Sequence, residues 1–159
     1  MTEGVFLLLG SNMGDKRQQL ATAVEKIGSS NSIIKQSCVY ETAAWGNTDQ
    51  PSFYNQVIQI RTDYEPDILL QLLLQIELQM GRERDEKWGE RIIDIDILYY
   101  DDQIVNTNTL TIPHPEIPNR RFTLVPLVEI AGGFVHPKLN LSQDKLLSVC
   151  QDKLEVVPI

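Results

Sequence analysis

Two aspartates interrupt a stretch that otherwise has the pattern of a buried strand, ERIIDIDILYYDD at residues 90–102. Residues i and i+2 of a strand point to the same face, so Asp94 and Asp96 share one face and the neighbouring isoleucines share the other. Two close carboxylates repel each other unless a cation lies between them. Because Mg²⁺ takes one or two protein carboxylates together with substrate phosphates, the pair is a candidate metal site. The alternative is a solvated strand face, since D-x-D is common by chance.

Basic residues lie on both sides of this strand. They are Arg82, Arg84, Lys87 and Arg91 upstream, and His114, Arg120 and Arg121 downstream. Arginine binds phosphate oxygens through a bidentate fork. Carboxylates for Mg²⁺ together with arginines for phosphate are typical of a nucleoside triphosphate site. A salt-bridged surface loop is the alternative for the upstream segment, because acidic residues alternate with its bases.

Several aromatic residues lie in or beside predicted loops, where large apolar side chains are less expected. They are Trp45, Phe53, Tyr54, Trp88 and Phe122. Such rings can sandwich a flat heteroaromatic ligand, and Asn55 is placed to hydrogen-bond the edge of one. For each ring taken alone, ordinary core packing is the alternative.

Length and composition narrow the class of protein. The 159 residues, of which 42% are hydrophobic, predict one folded domain over 1–159. The net charge of −8 disfavours nucleic acids and anionic membranes as partners. No run of about 18 apolar residues appears, and the N-terminus lacks the basic start of a signal peptide. We therefore expect a cytoplasmic protein with small-molecule substrates, and nothing in the sequence demands more than a monomer.

The order of apolar patterns predicts the fold. Strands are expected at 5–9, 32–42, 53–62 and 92–100, and helices from Asp15 to Gly28 and from Pro66 to Gly81. Short extended pieces and two more helices, at 122–131 and 141–150, follow. The core order β-α-β-β-α-β predicts an α+β, ferredoxin-like fold with a mostly antiparallel sheet. Its helices are expected on one face, with loops over the other face or at its ends.

The segment KWGERIIDIDIL, residues 87–98, resembles the signature of the 6-hydroxymethyl-7,8-dihydropterin pyrophosphokinase family of folate biosynthesis. Further segments resemble landmarks of that family in the same order, as far as about residue 131. They are LLLGSNMGD, YETAAWG, DQPSFYNQV, IELQMGRER, LTIPHPEIPNRRF and PLVEIA.

This resemblance implies a ferredoxin-like enzyme that transfers the pyrophosphoryl group of ATP to the pterin hydroxymethyl group and releases AMP. It implies two Mg²⁺ ions held by Asp94 and Asp96. The residues it assigns to the reaction are Arg82, Arg91, Asp94 and Asp96. Those it assigns to ATP are Glu77, Arg82, Arg84, Trp88, Arg91, His114 and Arg120. Those it assigns to the pterin are Thr42, Ala44, Trp45, Gly46, Phe53, Asn55, Asp94 and Phe122.

This chain departs from the family pattern at two positions. Phe53 stands where tyrosine is common, which retains the ring face, and Leu74 stands where a polar ATP contact is common.

Two other classes of protein remain possible at this point. A two-metal nucleotidyltransferase also carries paired carboxylates on a sheet, but it needs a Gly-Ser helix start shortly before them, and Gly10 is far from Asp94 in this chain. A non-enzymatic ferredoxin-like binding module would explain the fold and the acidic charge, but not the aspartates and arginines.

Overall fold

The computed structural model describes residues 2–43, 51–81 and 92–159. In these ranges the strands are β1 (Thr2–Ser11), β2 (Ser32–Gln36), β3 (Tyr40–Thr42), β4 (Phe53–Thr62), β5 (Asp94–Tyr100), β6 (Val105–Asn106), β7 (Thr111–Ile112) and β8 (Val157–Pro158). The α-helices are α1 (Lys16–Gly28), α2 (Pro66–Gln79), α3 (Arg121–Ala131) and α4 (Gln143–Val149). Within the same ranges, no helix has both the length and the apolar character needed to cross a membrane.

One antiparallel sheet organises the chain in the order β5-β1-β4-β3-β8, and β2 also pairs with β4. When β2 and β3 are counted as two halves of the second core strand, this is the predicted ferredoxin-like order, which is confirmed. The prediction of one continuous strand at 32–42 was wrong. The strand breaks because the Ser37 hydroxyl accepts the backbone N–H of Val57 at 3.0 Å and donates to the carbonyl of Cys38 at 2.7 Å, so side-chain hydrogen bonds replace part of the ladder.

The face of the sheet that packs against α1 and α2, here the α1–α2 face, is aliphatic. Its buried residues in or directly beside the strands include Val5, Leu7, Leu9, Ile58, Ile60, Ile93, Ile95 and Ile97. The helices contribute Leu20, Ala23, Ile27, Leu69, Leu73 and Ile76. Helix α1 begins as predicted, because the Asp15 carboxylate accepts the backbone N–H of Gln18 at 3.1 Å and so caps a free amide.

The opposite face packs partly against α3 and α4 and is here the α3–α4 face. Its core contains Phe6, Leu8, Val57, Leu98 and Tyr99, with Leu124, Leu127 and Leu146 from the two helices. The core helices α1 and α2 lie on one face as predicted, and the helices predicted after the core, α3 and α4, pack on the other face where loops were expected. The physical reason is the unbroken apolar run of β1, which buries side chains on both faces and so needs a helical layer on each.

A bulge divides β5 into two parts. Leu8 and Gly10 of β1 pair with Asp96 and Asp94, whereas Phe6 pairs with Tyr99, which leaves Leu98 as the extra residue. Leu98 and Tyr99 consequently both enter the α3–α4 core.

Candidate active site

A pocket opens on the α3–α4 face, beyond the part that α3 and α4 cover. The described residues around it enclose about 90 Å³ and comprise Leu8, Gly10, Thr42, Ala43, Phe53, Asn55, Asp94, Asp96, Arg120 and Phe122. Strands β1, β3, β4 and β5 supply its floor, and the start of α3 supplies one wall. It combines two carboxylates, a guanidinium, two phenyl rings and a carboxamide.

The aspartates are presented as their spacing predicted. Asp94 and Asp96 face the pocket, while Ile93 and Ile95 are buried on the α1–α2 face. Asp94 lies opposite Gly10, which in turn lies opposite Asn55 on β4. The acidic pair on β5 and the carboxamide on β4 therefore lie on the two strands that flank β1.

Glu77 acts on the backbone between the two aspartates. It lies on α2, is only 2% exposed, and its Oε2 accepts the backbone N–H of Ile95 at 2.7 Å. Among residues 2–43, 51–81 and 92–159, β5 is an edge strand of the sheet, and this hydrogen bond satisfies an amide that a sheet edge leaves without a strand partner. Glu77 is not among the residues that line the pocket, so the geometry gives it a role in holding β5.

Arg120 carries the positive charge of the described pocket. Its Nε is buried and has no hydrogen-bond partner in the described part of the chain. Its guanidinium carbon lies 5.6 Å from the centre of the Phe122 ring, within cation–π distance. A buried donor without an acceptor is costly, so the pocket fits a ligand that brings an anionic oxygen to this group.

His114 lies within electrostatic reach of the same cluster. Burial, and then the Arg120 guanidinium, lower the pKa of His114, while Glu116 and Asp94 act in the opposite direction. Its Nδ1 accepts the backbone N–H of Glu116 at 3.1 Å. The neutral ring therefore carries its proton on Nε2, which is left as a donor.

Thr42, Asn55, Phe53 and Phe122 come together in the pocket. Asn55 is buried, and its Oδ1 accepts a hydrogen bond from the Thr42 hydroxyl at 3.3 Å. This contact fixes the carboxamide on the floor, and the phenyl rings come from two different walls.

Sequence reasoning missed a second group of polar contacts, on the α1 side of the sheet. The Lys16 ammonium donates to the carbonyl and hydroxyl of Ser52, at 3.0 and 3.1 Å, and lies 4.2 Å from the centre of the Tyr54 ring. The Ser52 hydroxyl donates to Glu41 at 2.7 Å. These residues adjoin Thr42 and Phe53 in the chain. No sequence motif marks them, because the contact joins α1 to two strands.

The remaining predicted site residues lie outside the described residues. They are Ala44, Trp45, Gly46, Arg82, Arg84, Trp88 and Arg91. Their roles stay predictions from the sequence.

The pocket suits a hard divalent cation that shares its ligands with a substrate. No group of three or more His, Cys, Asp and Glu side chains able to hold a metal occurs in residues 2–43, 51–81 and 92–159. Asp94 and Asp96 thus supply carboxylate oxygens from two residues. This fits a Mg²⁺ ion whose remaining ligands are phosphate oxygens and water, and not a metal centre made of protein ligands alone.

The fold and the pocket together describe an α+β protein that combines acidic metal-type ligands with aromatic walls. Residues 6–132 match the model of the 7,8-dihydro-6-hydroxymethylpterin-pyrophosphokinase family, known as HPPK. The chain therefore belongs to this family, as the resemblance predicted.

Two curated relatives agree, both described as 2-amino-4-hydroxy-6-hydroxymethyldihydropteridine pyrophosphokinases. The protein from Aquifex aeolicus is 42% identical over 133 residues, which cover 84% of this chain and 83% of the relative. The protein from Methylorubrum extorquens is 44% identical over 132 residues, covering 82% of this chain and 84% of the relative.

A solved structure of wild-type Plasmodium falciparum HPPK-DHPS with pteroate has the same fold, with a TM-score of 0.74 at 17% identity. The match covers 93% of this chain but 42% of that longer chain.

Proposed function

We propose that the pocket binds ATP and 6-hydroxymethyl-7,8-dihydropterin side by side and that AMP leaves after the transfer. As a member of its family the chain is a pyrophosphokinase that acts on the hydroxymethyldihydropterin in folate biosynthesis. The proposal rests on one observation. Asp94 and Asp96 line the same pocket as Arg120 and the phenyl rings of Phe53 and Phe122.

The pterin is assigned to the aromatic side of the pocket. Phe53 and Phe122 supply ring faces for a flat bicyclic ligand. Asn55, held by Thr42, is available to hydrogen-bond the polar edge of that ligand. The family pattern adds backbone contacts at 44–46.

The ATP phosphates are assigned to the charged side. Arg120 offers the buried Nε, and His114 offers its Nε2 proton. The family pattern adds Arg82, Arg84, Trp88 and Arg91, which precede β5 in the chain. Several donors are needed, because a triphosphate brings more negative charge than one arginine neutralises.

Asp94 and Asp96 are the residues that would hold Mg²⁺, and the family pattern implies two ions. Once bound, Mg²⁺ supplies charge neutralisation on the phosphate oxygens. Without a cation, the two aspartates would repel a triphosphate.

The transfer itself is a substitution at phosphorus. The pterin hydroxyl oxygen forms a bond to the β-phosphorus, and the bond from that phosphorus to the oxygen bridging the α-phosphate breaks. The electron pair leaves on AMP, and the hydroxyl proton passes to solvent. Alignment and charge stabilisation supply most of the catalysis in such reactions. The sheet floor and the rings provide the alignment, so the proposal needs no side chain as a general base.

The test is incubation of the chain with ATP, MgCl₂ and 6-hydroxymethyl-7,8-dihydropterin, with products separated by chromatography. We expect AMP and the pterin pyrophosphate in equal amounts, and neither product when EDTA replaces MgCl₂. Free pyrophosphate in place of AMP would instead indicate a nucleotidyltransferase. A folded chain that gives no product would contradict the proposed reaction. AMP formation in EDTA would contradict its dependence on Mg²⁺.

We also propose that residues 1–159 form one domain that is monomeric and acts in the cytoplasm. The helical layers on both faces of one sheet support the single domain. Light scattering after gel filtration would detect a dimer, and a single cooperative unfolding transition is expected of one domain.

A further inference from the structure

We propose that Asp152 is a positioning residue for the pterin pocket. It anchors residues 150–159, here the last segment, to the start of α3, and the same segment continues as a strand beside β3. This inference rests on the proposed function, since it concerns how the pterin side of the site is held. The last segment lies beyond the residues that match the family model.

The first contact is at the beginning of α3. Helix α3 starts at Arg121, and Arg120, at the capping position, makes no side-chain hydrogen bond to the first turn. Instead Asp152 Oδ2 accepts the backbone N–H of Arg121 at 2.9 Å. A carboxylate at a helix start satisfies a free amide and stabilises the positive end of the helix dipole. The residues on either side of Arg121, Arg120 and Phe122, both line the pocket.

The anchor has a second and a third hydrogen bond. Asp152 Oδ1 accepts the backbone N–H of Leu154 at 3.0 Å, and Arg121 Nη1 donates to the carbonyl of Leu154 at 2.9 Å. The two arginines that the sequence placed together therefore separate: Arg120 faces the pocket, and Arg121 binds the last segment. Both carboxylate oxygens of Asp152 are used.

The same segment then reaches the opposite wall. In β8, Val157 and Pro158 pair with Glu41 and Tyr40 of β3. The backbone N–H of Ile159 donates to the carbonyl of Val39 at 3.0 Å. Strand β3 ends at Thr42, which lines the pocket. Ten residues thus link the wall that carries Phe122 to the wall that carries Thr42.

The rest of α3 is held without Asp152. Leu124 and Leu127 are fully buried in the α3–α4 core. Near the end of the helix, Glu129 accepts the Tyr40 hydroxyl at 2.5 Å and the backbone N–H of Cys38 at 3.0 Å. Loss of the Asp152 carboxylate should therefore loosen the first turn of α3, where Arg120 and Phe122 lie, and leave the fold in place.

The experiment compares Asp152→Ala with Glu155→Ala in the full chain. Glu155 is an exposed residue of the same segment and makes no side-chain hydrogen bond in the described part of the chain, so its variant removes the same charge without the contacts. Initial rates are measured with each substrate varied. Hydrogen exchange of the amides at 121–123 is followed by mass spectrometry or NMR.

For Asp152→Ala we expect a rise of about tenfold in the KM for the pterin, the size of one lost hydrogen bond to a charged group. The KM for ATP should rise by a smaller factor, less than about threefold, because Arg120 of the same turn is only one of several groups assigned to the phosphates. Exchange at 121–123 should accelerate. Glu155→Ala should behave as the wild type. Asp152→Asn retains one acceptor and should give a pterin KM between those of the wild type and Asp152→Ala. This variant also provides a test if Asp152→Ala fails to fold.

Unchanged exchange at 121–123 would overturn the anchor. Accelerated exchange with an unchanged pterin KM, or equal rises in both KM values, would overturn the positioning role. If the wild type makes no AMP at all, the proposed function fails, whereas the exchange result still decides whether Asp152 holds the start of α3.

Discussion

The two faces of the central sheet are built from the same strands but have different roles. On the α1–α2 face, Val5, Leu7 and Leu9 of β1 and Ile95 and Ile97 of β5 are buried aliphatics in one core with the helices. On the α3–α4 face, the alternate residues are apolar at one end of the sheet and become Gly10, Asn55, Asp94 and Asp96 at the other. One face therefore forms an aliphatic core with the helices, and the other is divided between a core and a pocket.

This difference separates stability from chemistry along a single strand. Burying a carboxylate is costly unless it is paired, and the pocket leaves Asp94 and Asp96 half-buried and within reach of a ligand. Ile95 between them, with Ile93 and Ile97 on either side, supplies the apolar burial that holds β5. A substitution on one face should consequently change a different measurable quantity from a substitution on the other.

The largest effect is expected for Asp96→Ala. Removing one proposed metal ligand should lower kcat by about a thousandfold or more, because the transition-state charge loses its compensation. The unfolding free energy should stay near that of the wild type, since Asp96 is not part of either core. Steady-state rates and urea unfolding check the two quantities.

Asp102→Ala is the control for this variant, because it removes an exposed carboxylate just after the same strand. It should retain full activity. A near-normal rate for Asp96→Ala would contradict the assignment of the metal to this pair.

The next effect is expected on the other face. Leu73→Ala removes a side chain that is 1% exposed in the α1–α2 core and should lower the unfolding free energy by about 2–5 kcal/mol. Below the unfolding transition, the KM values should stay close to those of the wild type. Leu78→Ala on the same helix, where the side chain is 51% exposed, should change the unfolding free energy by less than about 0.5 kcal/mol.

If Leu73→Ala raised a KM while the protein remained fully folded, the α1–α2 face would contribute to substrate binding as well as to stability. Calorimetry and initial rates on the same samples distinguish the cases.

A smaller effect is expected for Phe122→Ala, which removes one proposed stacking surface. The KM for the pterin should rise by about tenfold, the order expected from loss of an aromatic contact and its buried area, with little change for ATP. Phe134→Ala is the matched comparison on the same face. Phe134 packs in the α3–α4 core against Phe6, so its loss should lower stability and leave the pterin KM unchanged. Phe122 also packs against that core, so both variants should lose some stability. A pterin KM that rises for Phe134→Ala and not for Phe122→Ala would contradict the stacking role.

The smallest effect concerns pH. Burial, and then Lys138, lower the pKa of His136, whose Nδ1 accepts the backbone N–H groups of Lys138 and Leu139. The pKa of His114 is lowered as well. Below the unfolded-state pKa of about 6.5, the unfolded chain binds more protons than the folded chain, so stability falls as pH falls.

His136→Asn should reduce this loss of stability between neutral and mildly acidic pH, because it removes one of the two protonation sites. Urea unfolding at a series of pH values measures it. An identical pH dependence of the unfolding free energy in the variant and the wild type would show that His136 does not contribute to it.

Local patterns in the sequence were enough to predict much of the core. Period-two alternation placed the aspartates opposite the isoleucines, and the 3.6-residue pattern with Asp15 and Pro66 placed the first two helices. The family resemblance then grouped residues from distant parts of the chain, of which Thr42, Phe53, Asn55, Asp94, Asp96, Arg120 and Phe122 line one pocket.

The features that sequence reasoning missed depend on contacts between distant residues. Ser37 breaks a strand by bonding to Val57, and Glu77 acts on an amide of β5. Asp152 caps a helix that begins 31 residues earlier. Ser37 and Asp152 belong to no local motif, and the family resemblance assigned Glu77 to ATP and not to β5. Each of these contacts exists only after the sheet has formed.

The bulge at Leu98 isolates the acidic pair from the turn that follows β5. Because the face of each side chain is set by pairing, Asp94 and Asp96 take their orientation from Gly10 and Leu8, while Tyr99 takes its own from Phe6. Asp101 is tied to Gly4 of β1 by two hydrogen bonds, so a change in length beyond it, at residues 102–103, should leave the pairing of the aspartates unchanged. Natural or engineered variation in that turn is therefore compatible with an unchanged site, and the turn is a suitable place for a tag or a fluorescent probe.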